Sequence, residues 1–442
     1  MGVRDVITGR LLVAASPRFT DEQVVETLHL LIAQGVRRGA NTIHIEPHNQ
    51  YVLVRYRIDG VLRGAHKLPR AASAVLMATL KQLADLAPHD TYTPQDGQFV
   101  AEASGHQPVH VRVSVMPVLG GEKAVLHLLP EQNSPAGLAT LGFWGENLQT
   151  IQELLARPQG LITVAGPRHS GKTTTLYSML QLVHKPGHSV ATLEEHRTIR
   201  LTGASQSYLH NHGSHAMASG LQALLRQDPN VILLGSIPDG ETAEQTLSAA
   251  TSGHLLLAEL PADDAVTGTL RLRSLVHSPF MLATGLKAAV GQRLVRTLCP
   301  HCRQRFELTD ELRKKLETAF GIATPADRTR VFELELAAQR AGLGDAELAS
   351  SKHSVTRVWR ARKGGCEQCG HSGYKGRTVI SEILEINETI QKMLLASELP
   401  TPLQLRRAAL KAGFTPMGLD GLVKILRGQT TVAEVLRAVT PS

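Results

Sequence analysis

Aromatic residues are scarce in this chain: eight Phe, six Tyr and two Trp, 4% of 442 residues. That scarcity argues against a stacking platform for single-stranded nucleic acid, which sets a ring beneath successive bases. Long apolar runs are absent, and none approaches the ~18–20 residues that a membrane-spanning helix needs. Met1 to Arg10 carries charge and no apolar stretch, so it does not read as a secretory signal. The chain is therefore expected in the cytoplasm. There is no internal repeat and no long low-complexity tract. Charge of one sign does not accumulate either: the net +8 comes from 47 basic and 39 acidic residues spread along the sequence. Such a surplus permits a nucleic acid, an anionic membrane surface or an acidic partner, and selects none of them. Cysteine is limited to four residues.

What is present begins with a phosphate-binding pattern. Leu161-Ile162-Thr163-Val164-Ala165 reads as a short buried strand. Gly166-Pro167-Arg168-His169-Ser170-Gly171-Lys172-Thr173 follows, a full match to G-x-x-x-x-G-K-[ST], and Thr174 to Val183 reads as a helix. Strand, glycine loop and helix in that order distinguish a phosphate cradle from a chance Gly/Ser/Thr turn. Glycines let backbone N–H groups wrap phosphate oxygens, and the helix N-terminus adds its positive end. Gly166, Ser170, Gly171, Lys172, Thr173 and Thr174 are the candidate nucleotide-binding residues. Lys172 is expected to reach the β- and γ-phosphates of ATP, and the Thr173 hydroxyl to ligand Mg²⁺.

All four cysteines fall in one pattern: Cys299-x-x-Cys302, then Cys366-x-x-Cys369. In a cytoplasmic chain this spacing reads as a zinc site. Four thiolates close a tetrahedral shell, so the metal is expected to be structural. A redox dithiol pair and free buried thiols are the alternatives.

The length suggests two or three domains. Residues 21–40 carry apolar side chains at helical spacing, 42–46 and 51–58 read as strands, 72–86 as a helix, and 109–115 and 123–129 as strands. Residues 132–137, Gln-Asn-Ser-Pro-Ala-Gly, look like a linker. Beyond it strands are expected at 161–165, 189–194, 231–235 and 254–260, alternating with helices as in a parallel sheet. Residues 303–365 read as a charged, helical excursion between the cysteine pairs, and 386–440 as amphipathic helices.

Further landmarks carry a family resemblance. They are Ile43-His44-Ile45-Glu46-Pro47, Arg55 to Leu62, Pro94-Gln95-Asp96-Gly97, Arg112-Val113-Ser114 and Gly121-Glu122-Lys123. Leu225 to Asn230, Gln292 to Cys299 and Gly373-Tyr374-Lys375-Gly376-Arg377 follow. With the glycine loop and the cysteines, they make the chain resemble the hexameric motor ATPases of type II secretion and type IV pilus assembly. The resemblance runs from about residue 20 to about residue 438.

It implies an α/β fold: a RecA-like P-loop NTPase domain preceded by a smaller PAS-like α+β domain, with a zinc-binding module and a helical C-terminus. The boundaries would be an N-terminal extension 1–20, the PAS-like domain 21–135, the ATPase core 136–298, the cysteine module 299–385 and the helical region 386–442. It also implies ATP, Mg²⁺ and Zn²⁺ as cofactors and a ring of six subunits, self or paralogous. A platform protein of the inner membrane would hold the ring at the membrane periphery; no specific nucleic acid is expected. The cysteine module marks the assembly and secretion branch. About twenty residues precede the first landmark, so that branch's platform-docking domain is expected to be absent or supplied by another chain. A basic zinc-containing DNA-binding protein is the reading from another class.

Departures from the family pattern concern cleavage rather than binding. Where the family reads GEIRD, this chain reads Gly235-Ser236-Ile237-Pro238-Asp239. A neutral hydroxyl cannot serve as a general base near pH 7. A register shift that recruits Asp239 or Glu241 is the alternative. In the family's TGHLV…TLHTN segment His254 matches the first histidine, and Pro261 stands where the second is expected. Gln98 and His127 occupy positions at which the family has arginines, while Arg112 is kept. The acidic box reads Thr192-Leu193-Glu194-Glu195-His196-Arg197 and keeps its first two carboxylates. The resemblance thus makes Glu194, His254 and Arg112 the candidate catalytic residues. It implies a protein that binds ATP and hydrolyses it poorly, acting as a weakened motor or as an inactive regulatory or mixed-ring subunit.

Overall fold

Val109, Val111, Val113 and Val115 are all buried while Arg112 and Met116 between and beside them face out. This period of two is what a strand with one packed face requires. The structure is a computed structural model. It describes residues 3–5, 11–13, 21–103, 107–130, 135–195, 199–209, 216–344 and 347–440. The chain divides into two units, Met1–Gln132 and Asn133–Ser442.

In the first unit β1 (Val3–Asp5) and β2 (Leu11–Val13) precede helix α1 (Asp21–Arg37). The meander β3 (Ala40–Pro47), β4 (Tyr51–Ile58) and β5 (Val61–Pro69) follows, then α2 (Ala72–Leu83). Strands β6 (Gln95–Ala103), β7 (Gln107–Val118) and β8 (Gly121–Pro130) close the unit. They form one antiparallel sheet in the order β2-β1-β5-β4-β3-β8-β7-β6. Leu28, Leu31 and Ile32 of α1 and Leu76 and Leu80 of α2 pack with the inward residues of the strands in one core. The helix expected over 21–40 stops at Arg37 because Gly39 turns left-handed, φ 68°. Strand β6 has little β propensity, and sequence patterning does not reveal it. Gly97 permits it: a Cβ there would lie 2.4 Å from the Ala84 carbonyl oxygen.

The second unit opens with α3 (Leu138–Leu141) and α4 (Gly145–Leu155). Then come β9 (Gly160–Gly166), α5 (Lys172–Val183), β10 (Val190–Glu194), β11 (Ser205–Tyr208), α6 (Ala216–Leu225) and β12 (Val231–Leu234). Helix α7 (Gly240–Thr251), β13 (Leu255–Pro261), α8 (Ala265–Leu275), α9 (Pro279–Gly285) and β14 (Leu286–Leu298) complete the alternation. A seven-stranded sheet results, ordered β11-β10-β12-β13-β9-β14 and then β17 (Tyr374–Glu385). Its neighbours run parallel except for β14 and β17. Strand β9 is buried along its whole length, as a central parallel strand covered on both faces must be. Two apolar clusters, one holding Leu161, Leu234 and Leu260 and the other Ile162, Val164 and Leu233, fill the two faces. This is the RecA-like parallel α/β arrangement, in which ligands bind beyond the carboxyl ends of the strands.

Between the cysteine pairs lie β15 (Gln304–Glu307), α10 (Asp310–Ala319), α11 (Pro325–Arg340) and β16 (Arg357–Arg360). The excursion is helical as expected, but an antiparallel β15–β16 ribbon ties its base. Strand β17 runs in the main sheet against β14, although the sequence boundary groups it with the cysteines. The chain ends in α12 (Glu388–Leu395), α13 (Pro402–Lys411), α14 (Met417–Leu426) and α15 (Val432–Val439). Among the described residues no helix is long and apolar enough to cross a membrane.

Candidate functional site

The glycine loop joins the carboxyl end of β9 to the first turn of α5. Gly166 is fixed by space: a Cβ would stand 2.5 Å from both the Gln292 carbonyl oxygen and Ser170 Oγ. Gly171 is fixed by conformation, with φ 87° immediately before Lys172. Ser170 Oγ is buried in this turn with no hydrogen-bond partner among the described residues, as suits a group that takes an external acceptor. Thr173 and Thr174 are half-buried in the first turn of α5. Gln292 of β14, fully buried, donates from Nε2 to the Ser170 carbonyl at 2.9 Å and braces the loop from behind. Sequence reading has Gln292 only as a landmark; its role depends on β14 lying beside β9.

Lys172 is 5% exposed and donates to the Gly166 and Pro167 carbonyls, 2.9 Å each. Its third direction reaches Glu259 Oε1 at 3.2 Å. The Thr173 hydroxyl donates to Glu259 Oε2, also at 3.2 Å. Glu259 therefore meets both Lys172 and Thr173, the loop residues expected to reach phosphate and metal. It lies on β13, in register with Val164 of β9. The cradle, its unpartnered hydroxyl and its ammonium fit a nucleotide's phosphates, and the Thr173–Glu259 pair fits a hard divalent cation.

The other carboxylates are engaged elsewhere. Glu194, 3% exposed at the end of β10, accepts from the Tyr177 hydroxyl of α5 and from Thr192 Oγ1 at 3.1 Å. Glu195 is exposed, and its Oε1 lies 3.4 Å from Ser236 Oγ. Asp239 caps α7, accepting from the Thr242 N–H at 2.8 Å, and Glu241 sits in that helix's first turn. His196 and Arg197 lie outside the described residues.

His254 is not gathered with the loop. The His254 carbonyl accepts from Gly160 N at 3.0 Å, at the amino end of β9. Six residues of strand, roughly 20 Å at ~3.3 Å each, separate that end from Gly166. His254 Nδ1 meets the Pro229 carbonyl at 2.7 Å. Arg112 belongs to the first unit, exposed on β7. Across the sheet it is flanked in register by Gln98 of β6 and His127 of β8. The kept arginine and the two replaced ones thus form one cross-strand row, a relation hidden until the strands are paired.

The four cysteines converge although 67 residues separate the pairs. Their sulfurs all lie within 4.8 Å of one another. Cys366–Cys369, Cys299–Cys366 and Cys302–Cys369 are 3.7, 3.8 and 3.9 Å apart. Four sulfurs ~2.3 Å from a tetrahedral zinc stand about 3.8 Å from each other. These spacings exclude disulfides, whose sulfurs are ~2.05 Å apart. Burial raises the pKa of Cys369, but the Cys366 and Gly373 N–H groups, each 3.2 Å from its sulfur, and neighbouring thiols outweigh it and draw the thiol down to about 6. Burial, with the other sulfurs, pushes Cys302 up to about 12. Such a set fits a soft cation shared by thiolates.

A protein-family model described as "Type II/IV secretion system protein" matches residues 19–437. The type II secretion system protein E of Dickeya dadantii is 34% identical over 417 residues, covering 94% of this chain and 76% of that protein. The type IV pilus assembly ATPase PilB of Myxococcus xanthus is 31% identical over 421 residues, covering 95% and 69%. Among solved structures, the Legionella pneumophila ATPase DotB superposes with a TM-score of 0.63 at 16% identity, covering 96% of each chain. The ADP-bound pilus retraction motor PilT gives 0.57 at 18%, covering 94% and 97%.

Proposed function

The chain belongs to the type II/IV secretion system protein family, and on that premise we propose that it binds Mg-ATP as a motor-ATPase subunit whose hydrolysis is weakened. One contrast carries the reading: the glycine loop keeps every residue of the phosphate-binding pattern, while the segment after β12 offers Ser236 where the family pattern has glutamate. Binding draws on Ser170, Lys172, Thr173 and the loop amides. Cleavage draws on a carboxylate for the attacking water and on cations at the γ-phosphoryl. Loss of a general base costs about 10²–10⁴ in rate. Loss of transition-state arginines costs about 10³–10⁵, without additivity.

Arg112, in a row with Gln98 and His127, would supply a remaining cation across a subunit boundary in a ring of six. His254 and Glu194 would support the nucleotide domain from positions outside the loop. Zinc held by Cys299, Cys302, Cys366 and Cys369 would close the base of the 303–365 excursion. The ring would work in the cytoplasm against an inner-membrane platform protein of a pilus or secretion apparatus, either alone or mixed with an active paralogue.

The test is parallel measurement of ATP affinity and turnover on purified protein, with and without a co-expressed paralogue. Tight binding with turnover that rises in the mixed assembly supports the reading. Equal turnover in both, at ordinary motor rates, refutes it.

A further inference from the structure

We propose that Glu259 is the carboxylate that holds the magnesium ion of bound Mg-ATP, a role separate from the water-activating one that Ser236 cannot fill. The inference rests on the nucleotide-site reading above and names the residue that completes it.

Four observations carry it. Glu259 stands at the carboxyl end of β13, the strand between β9 and β12. Its side chain accepts from Thr173 Oγ1, the hydroxyl expected on the metal, at 3.2 Å. Its other oxygen holds Lys172 Nζ at 3.2 Å, so the carboxylate lies beside the position of the β- and γ-phosphates. Its backbone carbonyl accepts from Ile237 N at 3.2 Å, which fastens it to the residue after Ser236. A carboxylate thus stands on the strand adjacent to β12, tied by its backbone to the segment that carries Ser236.

The chemistry suits Mg²⁺, a hard cation that takes one or two carboxylates together with phosphate oxygens and water. Glu259 is 25% exposed in its side chain, open enough to accept such a ligand. Neutralising Lys172 is the competing role, and the two differ in sign. Without metal, a carboxylate beside the phosphates repels them, so its removal strengthens ATP binding. With metal, its removal weakens the ion's hold. A group needed only to brace Lys172 would weaken ATP binding with and without metal.

The experiment measures ATP affinity of the full-length protein in EDTA and in Mg²⁺, for wild type, Glu259→Gln and Glu259→Asp. Mn²⁺ binding to the ADP complex, read by electron paramagnetic resonance, reports the metal directly. Loss even of an outer-shell group that orients a metal's ligands costs about 10–100-fold in metal affinity. Glu259→Gln should therefore bind Mn²⁺ about 10–100-fold more weakly, bind ATP in EDTA as well as wild type or better, and lose most of the Mg²⁺ enhancement. Glu259→Asp, which keeps the charge, should recover part of both and covers the case in which the glutamine variant folds poorly. An unchanged Mg²⁺ enhancement and Mn²⁺ affinity in Glu259→Gln overturns the proposal, as does equal loss of ATP binding in EDTA and Mg²⁺. Failure of wild type to bind ATP in either condition overturns the nucleotide-site reading itself, and this inference with it.

Discussion

Ser236 directs its hydroxyl at Glu195 Oε1, 3.4 Å away, so the neutral residue at the end of β12 faces a carboxylate. A glutamate restored at position 236 would enter the field of Glu195. Like charges disfavour each other's ionised form and raise the pKa of one of the pair.

Ser236→Glu alone is accordingly expected to raise ATP turnover little. Groups that act together recover little one at a time. Adding Pro238→Arg, Gln98→Arg and His127→Arg should raise turnover further, because Gln98 and His127 flank Arg112 in one row. Steady-state turnover across the series checks this, and full recovery by Ser236→Glu alone would contradict it.

Gln292→Leu should weaken the loop from behind. It removes the donor to the Ser170 carbonyl at the back of the cradle. A buried acceptor left unpaired costs about 1–3 kcal/mol. The melting temperature and ATP affinity should both fall; an unchanged melt would show that the brace is dispensable.

Cys366→Ser should release the metal. It leaves three thiolates in a site whose spacings fit a tetrahedral ion. Metal analysis is expected to find one zinc per wild-type chain and a large loss in the variant. The melt should fall, because metal binding is folding energy for such a module. Full zinc and an unchanged melt in the variant would contradict the assignment.

The strand, glycine loop and helix were legible because they are local, following one another within residues 160–183. Ser236 and Pro238 were legible as departures from a pattern. Glu259 and Gln292 were not, since they reach the loop from 86 and 122 residues away. Their contacts exist because β13 and β14 flank β9, and strand order is a non-local fact. Strand β14 carries Gly291, Gln292 and Arg293 mid-strand, which breaks the apolar run that marks β9. Gly291 is there for space: a Cβ would meet Ala265 N at 2.7 Å. The cysteine pattern was legible in the spacing, but its closure depends on β14 ending beside the start of β17, with Leu298 paired to Tyr374.

Acid should destabilise the first unit through His44. Burial, then the charges of Arg57, Lys123 and Arg55 against the opposing Glu46, lower its pKa from 6.5 to about 4. Between those values the unfolded chain binds more protons than the folded one, so this group makes stability rise with pH. The contribution is complete above 6.5 and lost as pH falls toward 4. Urea midpoints measured across that window should rise with pH in wild type and less steeply in His44→Gln; equal slopes would remove His44 as the cause.

Turnover of ATP by the assembled protein, freed of contaminating ATPases and compared with Lys172→Ala, bears on the separation of binding from cleavage. Wild type should be stabilised by Mg-ATP and Lys172→Ala should not, because a ligand stabilises only the state that binds it. Wild-type turnover should lie well below the ~1–10³ s⁻¹ common to enzymes. A rate inside that range, abolished by Lys172→Ala, would show that the carboxylates on hand suffice and that the motor is not weakened.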